Sequence, residues 1–411
     1  MAFFKKRTAP AQLNICLIAK RFPLLGRNAD TGFLWPVARG LVQKGHKVTV
    51  LTSRGTLPQE VVERDGIKAY LFGDRQNFPE IVDSKFEKLH RENPFDLVHS
   101  LDESGLSVGL KRKKYRVAMA YDVDATQMSQ IFSILGMAQE TFGSLLKTSF
   151  KVAYNFFRSY LKHDRKLLKS ADAVFVHSPQ QRMALERYYL YPDQRIFSVP
   201  FGLGIEDLSP REKSEEFMKK IGLPPHSQVV VTVTDMTEFG EVSRLLQAFE
   251  RVAVKKPAAR LVIVGHGPLK KQIEFEMLNL ALGSRVIFAG EVAPQNISDY
   301  VVASDVFVNL SARSFGFEQS ALEAMAQKKV VIGSEVSPLA TIVEDGVDGF
   351  LIRPADTLTL SELLLQIFGG QISSQEIGER ARQKVLNLFD SDLILKQTLE
   401  AYNKALVRAL P

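Results

Sequence analysis

Short β-branched runs alternate with helical patterns along this chain, and the alternation occurs twice. Such alternation is typical of parallel strands joined by crossover helices. The clearest strands are predicted at residues 14–19, 47–52, 96–99, 117–121, 173–177 and 196–199 of the first half, and at 229–234, 260–264, 286–289, 306–309 and 330–333 of the second. The pattern predicts an α/β fold with two doubly wound, Rossmann-like parallel sheets.

The segment from Pro200 to Pro210 separates the two halves. It contains two glycines and is bounded by prolines, which is typical of a linker. Because 411 residues exceed the length of one ordinary domain, we expect two domains, at residues 1–204 and 205–390. An apolar periodicity beginning at Ser391 predicts a terminal helix over 391–411 that completes the first domain.

The overall composition excludes several classes of protein. With 45% hydrophobic and 24% charged residues, the chain is typical of a soluble globular protein and not of a disordered segment or a disulfide scaffold. Cys16 is the only cysteine, so an internal disulfide is impossible and a reducing compartment is favoured. The apolar run around Cys16 is too short to span a bilayer. We therefore expect a cytoplasmic protein.

Charge is distributed unevenly between the two halves. Residues 1–200 contain 31 basic and 19 acidic residues, a net charge of +12, and the remainder carries −5. A basic half favours an anionic partner, for which membrane lipid, a phosphate-bearing acceptor and nucleic acid are the candidates. Nucleic acid is disfavoured because the aromatic residues are not interleaved with the cations as stacking platforms. A solvated basic surface is the alternative.

Residues 126–169 form a long helical pattern that is rich in Phe, Leu and Met and also basic. Its cations are Lys147, Lys151, Arg158, Lys162, Arg165, Lys166 and Lys169. An apolar face beside a basic one suits a helix that lies on an anionic bilayer or against a lipid-linked acceptor, and an amphipathic pair packed on the sheet is the alternative. A second basic cluster at residues 111–116 favours the membrane, so we expect peripheral attachment at its inner face.

Six sequence blocks follow one another in the second half. They are LVIVGHGP (261–268), VIFAG (286–290), SDVFVNLS (304–311), GFEQSALEAMA (316–326), VVIGS (330–334) and IVEDGVDGFLIRP (342–354). Together with Thr31-Gly32, FDLVH (95–99) and SADAVFVH (170–177), this succession resembles the family 4 retaining glycosyltransferases. The resemblance implies a GT-B fold, in which two Rossmann-like domains face each other across a cleft, and a nucleotide sugar as the partner.

The block around Glu323 carries the candidate donor site. A helix N-terminus at the carboxyl end of a parallel strand favours phosphate, and Gly316 opens such a helix. We therefore expect the backbone near Gly316, Phe317 and Ser320 to hold the diphosphate and the sugar. Glu323 is placed to accept hydrogen bonds from the ribose hydroxyls, as the matching glutamate does in the family. A capped or surface glutamate is the alternative.

Two further donor-binding residues are implied by the resemblance. Gly32 matches a glycine at which the backbone approaches the donor, since only a residue without Cβ permits such contact. His266 lies in a loop that borders the nucleotide in family members. A plain turn glycine and an exposed turn histidine are the alternatives.

The chain departs from the family where the diphosphate is neutralised. Thr234 and Phe239 align with an arginine and a lysine of the family, and Asp235 and Glu238 add negative charge. The cations that remain as candidates for this role are Lys20, Arg21, Arg27, Arg244 and Arg313.

The residues expected at the transferred sugar differ as well. Phe315, or Ser314 with a one-residue insertion, aligns with the first of two paired glutamates, and Glu318 is its candidate replacement. The first-domain histidine of the family aligns with Tyr121 or Asp122. The candidate catalytic residues are therefore Tyr121, Asp122 and Glu318.

These features favour a glycosyltransferase that moves a sugar from a UDP- or GDP-sugar to an acceptor bound by the first domain. A catalytically degenerate binding or scaffold protein is the alternative, and an isomerase on the same fold lacks support from these motifs. The chain has no Asp-X-Asp motif in a suitable place, so neither a metal ion nor another cofactor is expected.

Overall fold

The computed structural model describes residues 12–22, 34–54, 59–74, 76–123, 163–177, 179–200, 209–311, 319–336, 338–353 and 355–409. The chain divides into two compact units, Met1–Leu203 with Phe389–Pro411, and Gly204–Leu388. The expected domain boundaries, 204/205 and 390/391, lie within two residues of these divisions.

The first unit contains an eight-stranded sheet. Its strands are β1 Asn14–Ala19, β2 Lys47–Thr52, β3 Val61–Arg64, β4 Ile67–Leu71, β5 Leu97–Ser100, β6 Ala118–Asp122, β7 Ala173–Val176 and β8 Ile196–Ser198. Their order across the sheet is β3-β4-β2-β1-β5-β6-β7-β8. All neighbours are parallel except β3 and β4, which form an antiparallel hairpin. Every residue of β1, β5, β6 and β7 is buried, as expected for parallel strands covered on both faces.

The described helices of the first unit connect these strands. They are α1 Leu34–Gln43, α2 Phe78–Glu92, α3 Leu106–Leu110, α4 Arg112–Tyr115, α5 Arg165–Ser170 and α6 Pro179–Tyr188.

The second unit contains a six-stranded, fully parallel sheet with the order β11-β10-β9-β12-β13-β14. The strands are β9 Gln228–Val233, β10 Ala259–Val264, β11 Val286–Gly290, β12 Val306–Asn309, β13 Val330–Ser334 and β14 Phe350–Ile352. The helices are α7 Glu215–Lys220, α8 Phe239–Lys255, α9 Lys270–Asn279, α10 Pro294–Ala303, α11 Gln319–Ala326, α12 Thr357–Phe368 and α13 Ser374–Leu388. The predicted α/β class and the two doubly wound sheets are confirmed.

The C-terminal helix α14, Ser391–Ala409, packs against α1, β6 and β7 of the first unit. Its buried residues include Leu395, Tyr402 and Leu406, which lie on one face because they are spaced by about two helical turns and one. None of the helices in the described part of the chain combines the length and the apolarity needed to cross a bilayer.

Candidate active site

The strand order of the second sheet reverses between β9 and β12. Ligands of open α/β sheets bind beyond the carboxyl ends of the strands at such a reversal. Two helices follow these two strands, α8 after β9 and α11 after β12. The candidate donor site is therefore built from the loop after β9 and from the first turns of α8 and α11.

Glu323 and Gln319 form a buried pair on α11. Their exposed fractions are 3% and 7%, and Gln319 Nε2 donates a hydrogen bond to Glu323 Oε1 over 3.0 Å. Side chains four residues apart on a helix lie on the same face, so both point toward the interior. The interpretation of Glu323 as a surface glutamate is therefore wrong. Ser320, on the same first turn, is half-buried.

The loop after β9 contains no cation where the family pattern has two. The Thr234 hydroxyl donates to Glu241 Oε2 over 2.9 Å and accepts from the Met236 backbone N–H, and both Thr234 and Glu241 are buried. Asp235 Oδ1 accepts from the backbone N–H and the hydroxyl of Thr237. The loop is thus closed by its own hydrogen bonds, and the position of Thr234 supplies no positive charge.

The loop that contains His266 packs tightly on this one. A Cβ at Gly265 or Gly267 would lie 1.8 Å from the carbonyl oxygen of Thr234 or Asp235, respectively, and Gly265 has a φ of +132°. Both positions therefore require glycine. His266, between them, is exposed, and its contact with a nucleotide stays a prediction.

Arg244 lies at the start of α8. A Cβ on Gly240, one turn earlier, would be 3.2 Å from Cζ and Nη1 of its guanidinium group. The guanidinium group is therefore folded back over the first turn of α8, where the helix dipole already favours an anion. Of the candidate phosphate-binding cations, Arg244 is the one that the described structure places at the reversal of the second sheet.

Seven candidate residues lie outside the described residues, so their roles stay predictions. They are Arg27, Gly32, Arg313, Phe315, Gly316, Phe317 and Glu318. Within the described ranges, no group of three or more His, Cys, Asp or Glu side chains is arranged to hold a metal ion.

The structure contradicts a catalytic role for Tyr121. Its side chain has no exposed surface, and its hydroxyl donates to the Gly105 carbonyl over 3.3 Å and accepts from Ser170 Oγ over 3.2 Å. Burial raises the pKa of this phenol well above its usual range. Tyr121 belongs to the core, because successive residues of a strand face opposite sides of the sheet and this side is covered by helices.

Asp122, the next residue, is the centre of a buried polar network. Asp122 Oδ1 lies 2.6 Å from His177 Nε2, and Oδ2 lies 3.7 Å from His99 Nε2. His177 Nδ1 is 2.7 Å from the Val199 carbonyl oxygen, to which it must donate because a carbonyl only accepts. Both ring nitrogens of His177 are therefore engaged by oxygen atoms, Nδ1 by the Val199 carbonyl and Nε2 by the Asp122 carboxyl group.

His99 extends the network to the C-terminal helix. Its Nδ1 lies 2.8 Å from the Tyr402 hydroxyl, and its ring stacks on Phe175 with centroids 4.5 Å apart. Burial lowers the pKa of His99 to about 4, so the ring is neutral at pH 7 and carries one proton. The Tyr402 hydroxyl donates to Nδ1, because this arrangement leaves the proton on Nε2, facing the Asp122 carboxylate.

The sequence motifs did not identify His99, His177, Tyr402 or Gln319 as site residues. A signal for the two histidines was present, since FDLVH and SADAVFVH both end in histidine at the ends of predicted strands. Strands β5, β6 and β7 are neighbours, and carboxyl ends of parallel strands meet at one edge of the sheet. No comparable pattern marks Tyr402 or Gln319.

The basic cluster at residues 111–116 is largely neutralised by acidic side chains. Lys111 Nζ lies 2.6 Å from Asp83 Oδ2 and Lys114 Nζ lies 3.1 Å from Glu87 Oε1, both on α2, and Arg112 pairs with Asp172. Three cations of the cluster thus face acidic side chains of the same unit, and contact of the cluster with a membrane stays a prediction.

The described end of the long basic segment is α5. Leu167 and Leu168 are buried in the core of the first unit, whereas Arg165, Lys166 and Lys169 are exposed. The apolar face of α5 thus packs inside the unit, which is the alternative considered for this segment. Residues 126–162 lie outside the described residues.

Two family models match the chain. The model described as Glycosyltransferase Family 4 matches residues 33–206, and that described as Glycosyl transferases group 1 matches residues 213–384. The chain has the GT-B fold and resembles the family 4 glycosyltransferases. The two matches meet between residues 206 and 213, close to the division between the two units.

Relatives and solved structures agree with this assignment. N-acetyl-alpha-D-glucosaminyl L-malate synthase of Bacillus anthracis is 28% identical over 183 residues, which are 44% of this chain and 47% of the relative; the chain thus spans about half the length of such curated relatives. Sucrose-phosphate synthase of Thermosynechococcus elongatus has a TM-score of 0.74 at 20% identity, covering 95% and 98% of the two chains. HepE of Anabaena in complex with UDP-glucose has a TM-score of 0.70 at 19% identity, covering 94% and 98%.

Proposed function

We propose that this GT-B protein is a retaining glycosyltransferase of the hexosyltransferase type. It moves a sugar from a UDP- or GDP-sugar to a lipid-linked acceptor, and it does so at the cytoplasmic face of a membrane. The observation that carries the proposal is the inward-facing Glu323 carboxylate on α11, at the strand-order reversal of the second sheet. A buried carboxylate is a strong hydrogen-bond acceptor for hydroxyl groups, and a ribose presents two of them. Binding of UDP-glucose by HepE of Anabaena supports the choice of donor class.

Four residues of the described structure have distinct roles in the proposed reaction. Glu323 holds the ribose, and the Arg244 guanidinium neutralises the diphosphate and stabilises its departure with the help of the N-terminus of α8. In the first unit, Asp122 is the proposed group for the sugar or the acceptor, and His177 fixes the orientation of its carboxylate.

A second candidate function is a binding protein that retains the donor site without catalysis. The observation in its favour is the closed loop after β9, in which Thr234 and Glu241 occupy the region where family members place a cation. Loss of one preorganised electrostatic contact costs about 2.7–4 kcal/mol in activation free energy, so such a site binds a nucleotide more readily than it transfers a sugar.

Calorimetric titration with UDP, GDP and their sugars tests the proposal, with the isosteric variant Glu323→Gln and the exposed surface control Glu362→Gln. We expect Glu323→Gln to weaken nucleotide binding roughly 10- to 100-fold, because hydrogen bonds to a charged group are worth about 1.5–3 kcal/mol, and Glu362→Gln to bind as the parent does. Release of UDP or GDP from the sugar nucleotide then separates the two candidates. Binding with turnover supports the transferase, binding without turnover supports the binding protein, and absence of binding to any nucleotide overturns both.

A further inference from the structure

Two glutamines at the two ends of α11 are buried to a similar degree but differ in their hydrogen bonds. Gln327, just after the helix, is 3% exposed. Its Oε1 accepts from the Arg211 backbone N–H over 2.9 Å and its Nε2 donates to the Ser209 carbonyl over 3.0 Å. Both ends of this amide thus serve the fold, since they anchor the segment that begins the described part of the second unit.

Gln319 uses only one end of its amide. Its Nε2 donates to Glu323 Oε1, whereas its Oε1 is buried and has no hydrogen-bond partner within the described part of the chain. The opposite orientation of the amide would place a carbonyl oxygen against the carboxylate, so Glu323 determines which end is left over. An unpaired buried acceptor costs about 1–3 kcal/mol, and each such group requires an explanation.

The chemistry of the unpaired atom restricts what binds there. An amide oxygen accepts hydrogen bonds and donates none, so the partner must carry an O–H or N–H group. A phosphate oxygen does not qualify, and the adjacent carboxylate would repel it. A metal ion is disfavoured as well, because the site holds one carboxylate and no group of three ligating side chains exists among the described residues.

We infer that Gln319 Oε1 accepts a hydrogen bond from one hydroxyl of the donor ribose while Glu323 accepts from the other. The inference rests on the proposed function and assigns a further donor-binding residue to it. A vicinal diol presents two adjacent donors, and the Gln319 and Glu323 side chains, one helical turn apart on one face, present two adjacent acceptors. The pair then distinguishes a ribonucleotide from its deoxy analogues.

The test compares UDP, 2′-deoxy-UDP and 3′-deoxy-UDP as ligands of the full chain, with the GDP series used in the same way. We expect the parent protein to bind the analogue that lacks the hydroxyl on Gln319 roughly 3- to 10-fold more weakly, because a neutral hydrogen bond is worth about 0.5–1.5 kcal/mol. The analogue that lacks the hydroxyl on Glu323 should bind roughly 10- to 100-fold more weakly, because a hydrogen bond to a charged group is worth about 1.5–3 kcal/mol. In Gln319→Leu, the preference over one of the two analogues should fall to near unity while the preference over the other remains. Gln319→Met provides a second variant of similar length that lacks an acceptor.

Gln327→Leu is the matched control, since it removes a buried glutamine whose amide is satisfied within the protein. It should lower stability and leave both preferences unchanged. A Gln319 variant that weakens UDP and both analogues by the same factor would show a merely structural role and overturn the inference. Equal affinity of the parent for UDP and either analogue overturns it too, even when UDP binding itself upholds the proposed function. Failure of the parent to bind UDP or GDP overturns the proposed function first and this inference with it.

Discussion

At the scale of single residues, His99 connects the carboxyl end of the inner strand β5 to the C-terminal helix α14. Its ring is fully buried between Phe175 and Tyr402, and burial lowers its pKa from 6.5 to about 4. The neighbouring Asp122 acts in the opposite direction and His177 in the same direction as burial, both more weakly than burial itself. The imidazole is therefore neutral in the folded protein at every pH above about 4.

Stability should consequently fall as the solution is acidified through pH 6.5 toward pH 4. In that window the unfolded chain binds a proton at His99 and the folded chain does not, so the contribution of His99 is complete above pH 6.5 and is lost progressively below it. We expect the difference in unfolding free energy between the parent and His99→Gln to shrink by up to about 3 kcal/mol between pH 7 and pH 4. Urea denaturation at a series of pH values measures this difference.

Tyr402→Phe is the control for this effect, because it removes the hydroxyl bonded to Nδ1 but leaves the imidazole buried. Its difference from the parent should stay nearly constant over the same range. A His99→Gln difference that does not change with pH would contradict the burial of a neutral imidazole.

Gly267 determines how closely two loops of the donor site approach each other. A Cβ at this position would lie 1.8 Å from the Asp235 carbonyl oxygen, which is backbone and cannot rotate away. We expect Gly267→Ala to lower the unfolding free energy by about 1–3 kcal/mol, the usual cost of overpacking. Gly283→Ala is the control, since its Cβ would have no neighbour closer than 3.8 Å. Equal denaturation midpoints for the two variants would show that the loops separate at no cost.

At the scale of elements, sequence patterns located the edge strands β8 and β11 as well as most inner strands, and missed β3, β4 and β14. Strands such as β1 and β6 are buried on both faces and appear as apolar runs, whereas the edge strand β3 is largely exposed and has no such signal. A local signal for the β3–β4 hairpin did exist. Asp65-Gly66 has positive φ at both residues, 50° and 75°, which is the turn that favours a two-residue hairpin.

The sequence predicts a residue of the candidate site when a single helix determines its orientation. It does not predict contacts between residues of different elements. Glu323 lies in a recognisable helix motif, so its inward orientation follows from helical periodicity. The contact of Asp122 with His177, and of His99 with Tyr402, joins residues up to 303 positions apart. The sequence predicted that the terminal helix belongs to the first domain, but these contacts also depend on the strand order and on which residues of α14 face the sheet. No local pattern shows which residues then meet.

Arg244 on α8 gives a prediction at this scale. If its guanidinium contacts the diphosphate, Arg244→Gln should weaken UDP much more than uridine, because only UDP carries the phosphates. We expect the ratio of the two affinities to fall roughly 10-fold or more, since a hydrogen bond to a charged group is worth about 1.5–3 kcal/mol. Calorimetric titration with both ligands measures this ratio without relying on turnover.

Arg251→Gln on the same helix is the matched control. Its guanidinium donates to Thr357 Oγ1 over 3.2 Å, and it lies about two turns beyond Arg244, so the ratio should remain that of the parent. An unchanged ratio in Arg244→Gln would show that groups other than this arginine bind the diphosphate.

At the scale of the whole molecule, the net charge of the first half is larger than the charge that is available to attract an anionic surface. The first 200 residues carry +12, yet three cations of the cluster at 111–116 are paired with acidic side chains of the same unit. Pairing of this kind is set by the fold, so composition alone overstates the attraction to an anionic surface. On α5, Arg165, Lys166 and Lys169 are exposed, and the apolar face of this helix is already buried.

These three residues define the last prediction, which concerns the proposed site of action at a membrane. A helix that contributes cations but no apolar face binds lipid by electrostatic attraction alone, worth about 1 kcal/mol per cation near an anionic surface. We expect the protein to sediment with vesicles that contain phosphatidylglycerol, to remain in the supernatant with phosphatidylcholine, and to dissociate as salt shortens the screening length.

Reversal of the three charges, R165E/K166E/K169E, should weaken binding on the order of 100-fold, whereas K219E/K220E/K271E on the second unit should leave it nearly unchanged. Equal recovery in both supernatants would remove the membrane from the proposal, and binding that survives the α5 variant would move the contact to another part of the chain.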